Sequence, residues 1–272
     1  ANRGVTDRDA LVHKARRIRE SGLLLTTLGV GDDFDEDLLT AMAEAGGGNF
    51  YYIENPDRIP SIFNQELQGL LAVVGQGLSV RVKAGGGVNI MGVLGYPPSG
   101  TPAEIAMDLP DIYSGETKSL VLELQVNPGP QGSRKLADVK LEYEDLLGNQ
   151  GEVEVLVELA VSLEPGDSLP DVRENPDVLR EVYMVRSVEA LEEAIRRADG
   201  GDFSGGSQIL EDALCYLEPL ADYAGAADAA VSDQVRALRE KAEQLKSANY
   251  EASTRKQMRT MSFQSRSGRR QN

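Results

Sequence analysis

The hydrophobic pattern of this chain turns on residues 23–31, Leu-Leu-Leu-Thr-Thr-Leu-Gly-Val-Gly. The run is too short to cross a membrane, is built of residues that pack well in sheets, and closes on glycines. Helical periodicity flanks it on both sides. Over residues 7–21, Leu11, Ala15 and Ile18 share a face, with Thr6 as the expected N-cap and Gly22 as the stop. Over residues 34–45, Phe34, Leu38, Leu39 and Met42 make the stripe, and Asp33 and Glu36 have capping-box spacing. Gly46-Gly47-Gly48 ends that helix. Residues 49–53, Asn-Phe-Tyr-Tyr-Ile, read as a second strand. Residues 57–74 read as a third helix, with Ile59, Ile62, Phe63, Leu67, Leu70, Leu71 and Val74 facing one way. A continuous apolar strand between helices is what a parallel strand buried on both faces looks like. Two such strands are too few for three helices, so the pattern predicts one part of a larger doubly wound α/β sheet with right-handed crossovers.

From Gly75 the period shortens to two. Leu78, Val80 and Val82 alternate with Ser79, Arg81 and Lys83, and further strands are expected over 88–94, 103–109, 117–126, 136–145 and 152–163. The last is the clearest, with Val153, Val155, Val157, Leu159, Val161 and Leu163 on one side and Glu152, Glu154 and Glu158 on the other. Gly148-Asn149-Gln150-Gly151 supplies the hairpin that joins the final pair. Alternating strands in series predict an antiparallel β-sandwich over 76–165. Residues 165–170 form a proline-bounded linker.

Asn175-Pro176 has N-cap and N1 chemistry and opens a helix running to Ala198. A glycine-rich break over 200–206 follows, then a helix marked by Ile209, Leu210, Ala213, Leu214 and Leu217. Another spans about 228–250, with Val231, Val235, Leu238, Ala242 and Leu245 at heptad-like spacing. Residues 171–250 therefore predict a small helical bundle. The stretch 251–272 is basic, polar and rich in Ser, Arg and Gln, a composition that predicts a disordered, solvated tail, the alternatives being that it folds back on the acidic body or meets anionic lipid.

Composition narrows the chemistry. A formal net charge of −16 argues against a duplex nucleic acid partner, whose phosphates demand Lys and Arg. The one cysteine, Cys215, excludes an internal disulfide, and its place on an apolar helical stripe predicts a small buried side chain. The one histidine, His13, belongs to a solvated basic face and cannot build a His-rich metal site or a His-based triad. No run of about twenty apolar residues is present to span a bilayer. Ligands of open α/β sheets are met at the carboxyl ends of the strands. Here that edge carries Gly31, Asp32, Asp33 and Asp35, which are the candidate partner-binding rim; the competing reading is that Asp33 and Asp35 cap and complement the following helix.

The opening Ala1-Asn2-Arg3-Gly4-Val5-Thr6-Asp7, the strand Thr27-Leu28-Gly29-Val30-Gly31, the helix Asp35-Glu36-Asp37-Leu38-Leu39-Thr40-Ala41-Met42-Ala43 and the run Gly46-Gly47-Gly48-Asn49-Phe50-Tyr51-Tyr52-Ile53 resemble the second half of a von Willebrand factor type A domain. The likeness covers residues 1–75 and is greatest to bacterial multidomain proteins, in which an antiparallel β domain and helices follow. It implies a non-enzymatic protein-interaction or adhesion-type module whose intact parent binds a protein partner through Mg²⁺. In that family a metal-ion-dependent adhesion site holds the cation with an Asp-x-Ser-x-Ser loop, a Thr and a further Asp, hard oxygen ligands suited to Mg²⁺. None of those elements maps onto this sequence, so the resemblance implies that they lie upstream of Ala1 and that no residue here is a direct metal ligand.

Two alternatives from other classes stand beside this one. Gly29-x-Gly31 after a strand raises a nucleotide-binding enzyme, weakened by the missing third glycine, the absent Gly-Lys-Ser/Thr loop and the acid at Asp33. An adaptor subunit working with a separate ATPase is also compatible with the resemblance. On the truncated reading the strand 23–31 presents an open apolar edge, and the isolated chain is expected to aggregate or recruit another strand there.

Overall fold

A computed structural model describes residues 5–31, 33–70, 73–114, 116–148, 151–163, 174–224, 228–247 and 250–267. They form two compact units, Ala1–Leu67 with Tyr183–Asn272, and Gln68–Val182. Asp32, Leu71, the turn residues Asn149 and Gln150, and the expected linker at 165–170 lie outside the described residues.

In the first unit, α1 (Arg8–Glu20) leads into β1 (Leu25–Val30), α2 (Glu36–Gly46), β2 (Gly47–Ile53) and α3 (Ile59–Leu70). β1 and β2 run parallel, with Thr27 opposite Phe50 and Val30 opposite Ile53. Among the described residues, neither strand pairs with a third. The caps sit one or two residues from the expected ones: Asp7 rather than Thr6 accepts from the Ala10 N–H at 2.8 Å, and Asp35 rather than Asp33 accepts from the Leu38 N–H at 3.0 Å. Gly47 closes α2 in the left-handed region at φ 69°, where a side chain would be strained.

Strand alternation divides this small sheet into two faces. Leu28, Tyr51 and Ile53 meet Ile59 and Ile62 of α3. On that face the Glu66 carboxylate also accepts from Thr26 Oγ1 (2.5 Å), Asn49 Nδ2 (2.6 Å) and the Tyr51 hydroxyl (2.7 Å). Phe63 and Leu67, expected on the buried stripe, are instead more than half exposed. Two strands give α3 a floor wide enough for the Ile59, Ile62 and Glu66 row but not for the next. The opposite face carries Phe50, covered by Ala43 of α2 and by Phe263.

Phe263 belongs to the stretch expected to be a disordered tail. It lies in α7 (Ala252–Ser267), one of four C-terminal helices with α4 (Pro176–Asp199), α5 (Phe203–Ala224) and α6 (Ala229–Lys246). Leu191, Ile195, Leu210, Leu217, Leu238, Leu245 and Met258 are fully buried among these helices. Gly206 does not break the chain as expected; it lies inside α5, where an added Cβ would come 3.0 Å from the Ala194 carbonyl, so it permits α4 and α5 to approach closely. Cys215 is exposed, a correction to the expected burial, because Ala213, Leu214 and Leu217 take the inward positions and turn their neighbour outward. The α/β part and the helices fall in one compact unit. Met258 of α7 enters the helical core while Phe263 meets Phe50 edge-on at 6.3 Å, so one helix joins both.

The second unit is antiparallel. β3 (Val73–Ala84) begins where the third helix was expected to continue, so Val74 is in a strand. The main sheet runs β10-β9-β3-β6-β5, with β7 also on β3, using β5 (Ser99–Thr101), β6 (Glu104–Asp108), β7 (Ile112–Tyr113), β9 (Gly132–Asp145) and β10 (Gly151–Leu163). β4 (Val88–Leu94) and β8 (Val121–Val126) make a separate pair. Leu78, Val80 and Val82 of β3, Ile90 and Val93 of β4, and Ile105 and Met107 of β6 share one core, with Leu122 and Leu124 of β8 packed against it. The alternating face of β10 departs from expectation. Val155, Val157 and Val161 are exposed, although Leu159 between them packs against the core, because β10 is the last strand of its sheet.

Phe263→Ala should cost about 3–5 kcal/mol of unfolding free energy, the usual range for emptying a buried aromatic site. Urea denaturation checks this; a loss within about 0.5 kcal/mol, ordinary for a surface position, would mean that α7 is not docked on β2.

Candidate functional site

The carboxyl edge of β1 and β2 is built by a short run of local constraints. Gly31 adopts φ +68° and its N–H donates to the Ile53 carbonyl at 3.1 Å, tying the two strand ends together. Phe34 then folds back over the sheet. Its ring lies so close over Gly29 that an added Cβ would sit 2.2 Å from it, and it packs against Phe50 (6.3 Å) and Tyr52 (6.0 Å). Gly29 is therefore a glycine for the sake of an aromatic ring. A phosphate brought to this backbone would meet that ring, so Gly29-x-Gly31 loses its nucleotide reading.

The four rim residues have separate surroundings. Asp35 caps α2 and takes a forked pairing from the Arg8 guanidinium. Burial pushes its carboxyl up, but the bonds from Arg8 and the Leu38 N–H outweigh that and hold it below the ordinary carboxylate value. Asp33 is exposed, Gly31 supplies the turn, and Asp32 lies outside the described residues. Among the described residues no group of three or more His, Cys, Asp or Glu side chains converges to hold a metal ion. His13 is exposed on α1.

Beyond the end of β2 the edge opens into a groove of about 500 Å³. Asn55 accepts from the Asp57 N–H at 3.0 Å and starts a 3-10 turn, Pro56–Arg58, which carries Arg58 to the groove. Tyr52, Glu54 and Asn55 line one wall. Asp233 and Gln234 of α6 and Gln257, Thr260 and Met261 of α7 line the other. Charges of both signs and amides surround an apolar floor, with no cysteine or histidine in the lining. Such a mixture suits recognition of a surface with its own hydrogen-bonding groups. The groove has no local signature in the sequence, since one of its walls comes from α6 and α7, far along the chain from β2.

What holds α7 against the α/β part is a set of charges. Arg255 reaches Glu36 Oε1 (2.5 Å) and Asp37 Oδ2 (2.9 Å) in the first turn of α2, and Asp199 Oδ1 (2.8 Å) at the end of α4. Lys256 Nζ bonds Glu36 Oε2 at 3.1 Å and stands 4.7 Å from the centre of the Phe34 ring, a cation–π contact added to an ion pair. Arg259 meets Asp37 at 3.0 Å. Asp199 sits unfavourably at a helix C-terminus; burial raises its carboxyl further, yet hydrogen bonds from Arg255 and Tyr250 bring it below the ordinary value. Burial, followed by the bond to Asp199, pushes the Tyr250 hydroxyl up. A weak local signal exists in Met258 and Met261, three residues apart among basic residues, while Phe263 lies on another side of the helix and meets Phe50.

No family model matches the chain. Among curated proteins, the uncharacterized protein YfbK of Escherichia coli K12 is 26% identical over 132 residues, 46% of this chain and 23% of that protein. The match thus spans less than a quarter of that relative's length. Among solved structures, a von Willebrand factor type A protein from Catenulispora acidiphila superposes with a TM-score of 0.64 at 16% identity, covering 92% of this chain and 60% of the other. The ArnB paralog VWA2 from Sulfolobus acidocaldarius gives 0.50 at 18% identity, covering 94% and 60%. The chain therefore has a von Willebrand factor type A-like fold, and the likeness extends past residues 1–75 to the strands and helices that follow.

Lys256 and Glu36 are nearly buried, with side chains 4% and 10% exposed. Glu36→Gln strands the ammonium and should cost about 3 kcal/mol, whereas Glu36→Leu with Lys256→Met should recover most of that loss; chemical denaturation of the single and double variants measures both. Asp199, lowered in the fold, contributes stability that is complete above the unfolded carboxylate value of about 3.9 and disappears as pH falls through its lower folded value. Asp199→Asn should therefore lower the melting temperature at pH 7 and flatten its fall between pH 4 and pH 2, as followed by circular dichroism.

Proposed function

We propose that this chain is part of a non-enzymatic protein-interaction module, in which the carboxyl edge of a von Willebrand factor type A-like sheet receives a protein partner. The observation that carries the reading is the groove beyond β2. It is open, it lies where α/β sheets meet their ligands, and it sets Glu54, Arg58 and Asp233 around Tyr52 and Met261. Paired signs around an aromatic floor favour a folded protein surface over a small metabolite, because such a rim gives orientation while the aromatic gives contact area. Gly31 and Asp33 extend the same edge beside Phe34, whose ring packs against Tyr52. In this reading Asp33 adds acidic character to the partner surface and Asp35 acts by fixing the start of α2. The antiparallel strands and the remaining helices serve as spacer and docking elements.

Among the described residues no cluster of carboxylates is placed to hold the Mg²⁺ that the resemblance implies, and recognition at this edge needs no cation. What this chain supplies is the shape and charge of the edge.

A photoreactive residue placed at Thr260 or Gln257 should crosslink one saturable protein partner from an extract of the source organism, identified by mass spectrometry. Arg58→Glu and Asp233→Arg should each reduce that adduct tenfold or more, in keeping with loss of a groove charge pair. A probe at Lys14, exposed on α1, is the control. Equal labelling from Lys14 and from the groove would defeat the proposal.

A further inference from the structure

β10 is a thirteen-residue strand, paired along its whole length with β9 on one side. Among the described residues, nothing pairs with it on the other. Natural sheets blunt such edges with charge pointing inward, proline, bulges or short strands. β10 uses none of these. Its one register irregularity lies in β9, where Leu136 is skipped between Ala137 and Lys135, so the alternation of β10 itself is regular. Val155, Val157 and Val161 are 39%, 48% and 37% exposed, beside Leu141 and Val139 at the margin of the core. The outward face carries Glu152, Glu154 and Glu158. Lys140 from β9 meets Glu154 at 2.9 Å, and Lys135 meets Glu158 at 3.3 Å.

We infer that this edge is an interface for a second copy of the chain, the two β10 strands pairing antiparallel about Val157. Register favours this pairing. A two-fold axis at Val157 aligns both strands end to end, Gly151 against Leu163, and adds roughly a dozen backbone hydrogen bonds. On the apolar face it sets Val153 opposite Val161, Val155 opposite Leu159 and Val157 opposite itself. On the outward face Glu152 meets Ser162, Glu154 meets Ala160 and Glu158 meets Leu156, so no carboxylate stands directly opposite another. Sliding by one side-chain repeat sets Glu154 against Glu158 in one direction and Glu158 against itself in the other, and like charges directly opposite destabilise a sheet. The register of greatest overlap is thus also the one without head-on repulsion. A foreign strand would need its own complementary pattern, whereas a second copy brings it. The surface is separate from the groove beyond β2, and its test does not depend on partner capture.

Sedimentation of the full chain should give a species of twice the 29.4 kDa chain mass. Val157→Lys and Val157→Glu should each sediment as a monomer with an unchanged far-ultraviolet spectrum, since each sets identical charges opposite one another. Mixing the two should restore the dimer, because lysine then faces glutamate across the axis. Hydrogen exchange on the unaltered chain supplies a readout free of mutation: amides over 151–163 should gain protection as concentration rises. A wild-type monomer at every concentration would overturn the inference. So would a dimer that survives Val157→Lys, which would place association at another surface such as the β1 edge, or a mixture that fails to reassociate.

Discussion

The first unit depends on the docking of α7 by charge onto two helices that are remote in sequence. Glu36 and Asp37 crowd the first turn of α2, where the helix dipole favours them, and Asp199 ends α4, where the dipole does not. Arg255 answers all three carboxylates at once, and Lys256 and Arg259 divide the α2 pair between them. Burying a lysine is costly unless it is paired and bonded, and Lys256 is both paired with Glu36 and set against the Phe34 ring. Once these charges are matched, Phe263 reaches Phe50 and Met258 reaches the helical core. Electrostatic matching fixes the orientation of α7, and apolar burial supplies most of the stability.

The groove follows from the same docking. β2 and the turn after it give one wall, and α6 and α7 give the other. Had 251–267 stayed in solvent, the carboxyl edge would be an open shelf. The groove is therefore shared between an α/β segment and helices roughly two hundred residues later in the chain. Gly29 serves this arrangement by admitting Phe34, which braces Tyr52 at the groove.

The second unit shows a different economy. Its main sheet is wider than the β4–β8 pair that faces the shared core, so apolar side chains near β3 are buried while those of β10 are not. Identical alternation gives opposite burial at the two places. The pattern along a strand says which side chains share a face; it is silent on whether another sheet reaches that face.

Local sequence determined the elements of this protein. An apolar run ending at Gly31 and another opening on Gly47-Gly48 gave the parallel strands, period-two alternation gave the antiparallel ones, and the Val231, Val235, Leu238, Ala242 and Leu245 spacing gave a helix whose stripe is buried. These follow from backbone geometry, which each short segment carries by itself. Of the site, the carboxyl edge of β1 and its glycine turn at Gly31 were legible, since strand ends and turns are local too. Tertiary structure alone decided that a basic, polar stretch becomes a buried helix, that Phe63, Val157 and Cys215 face solvent, and that a groove opens beyond β2. Each of these depends on what lies across from a residue in space. A charged side chain is solvated or buried according to whether its partner arrives, and for Lys256 that partner, Glu36, is 220 residues away.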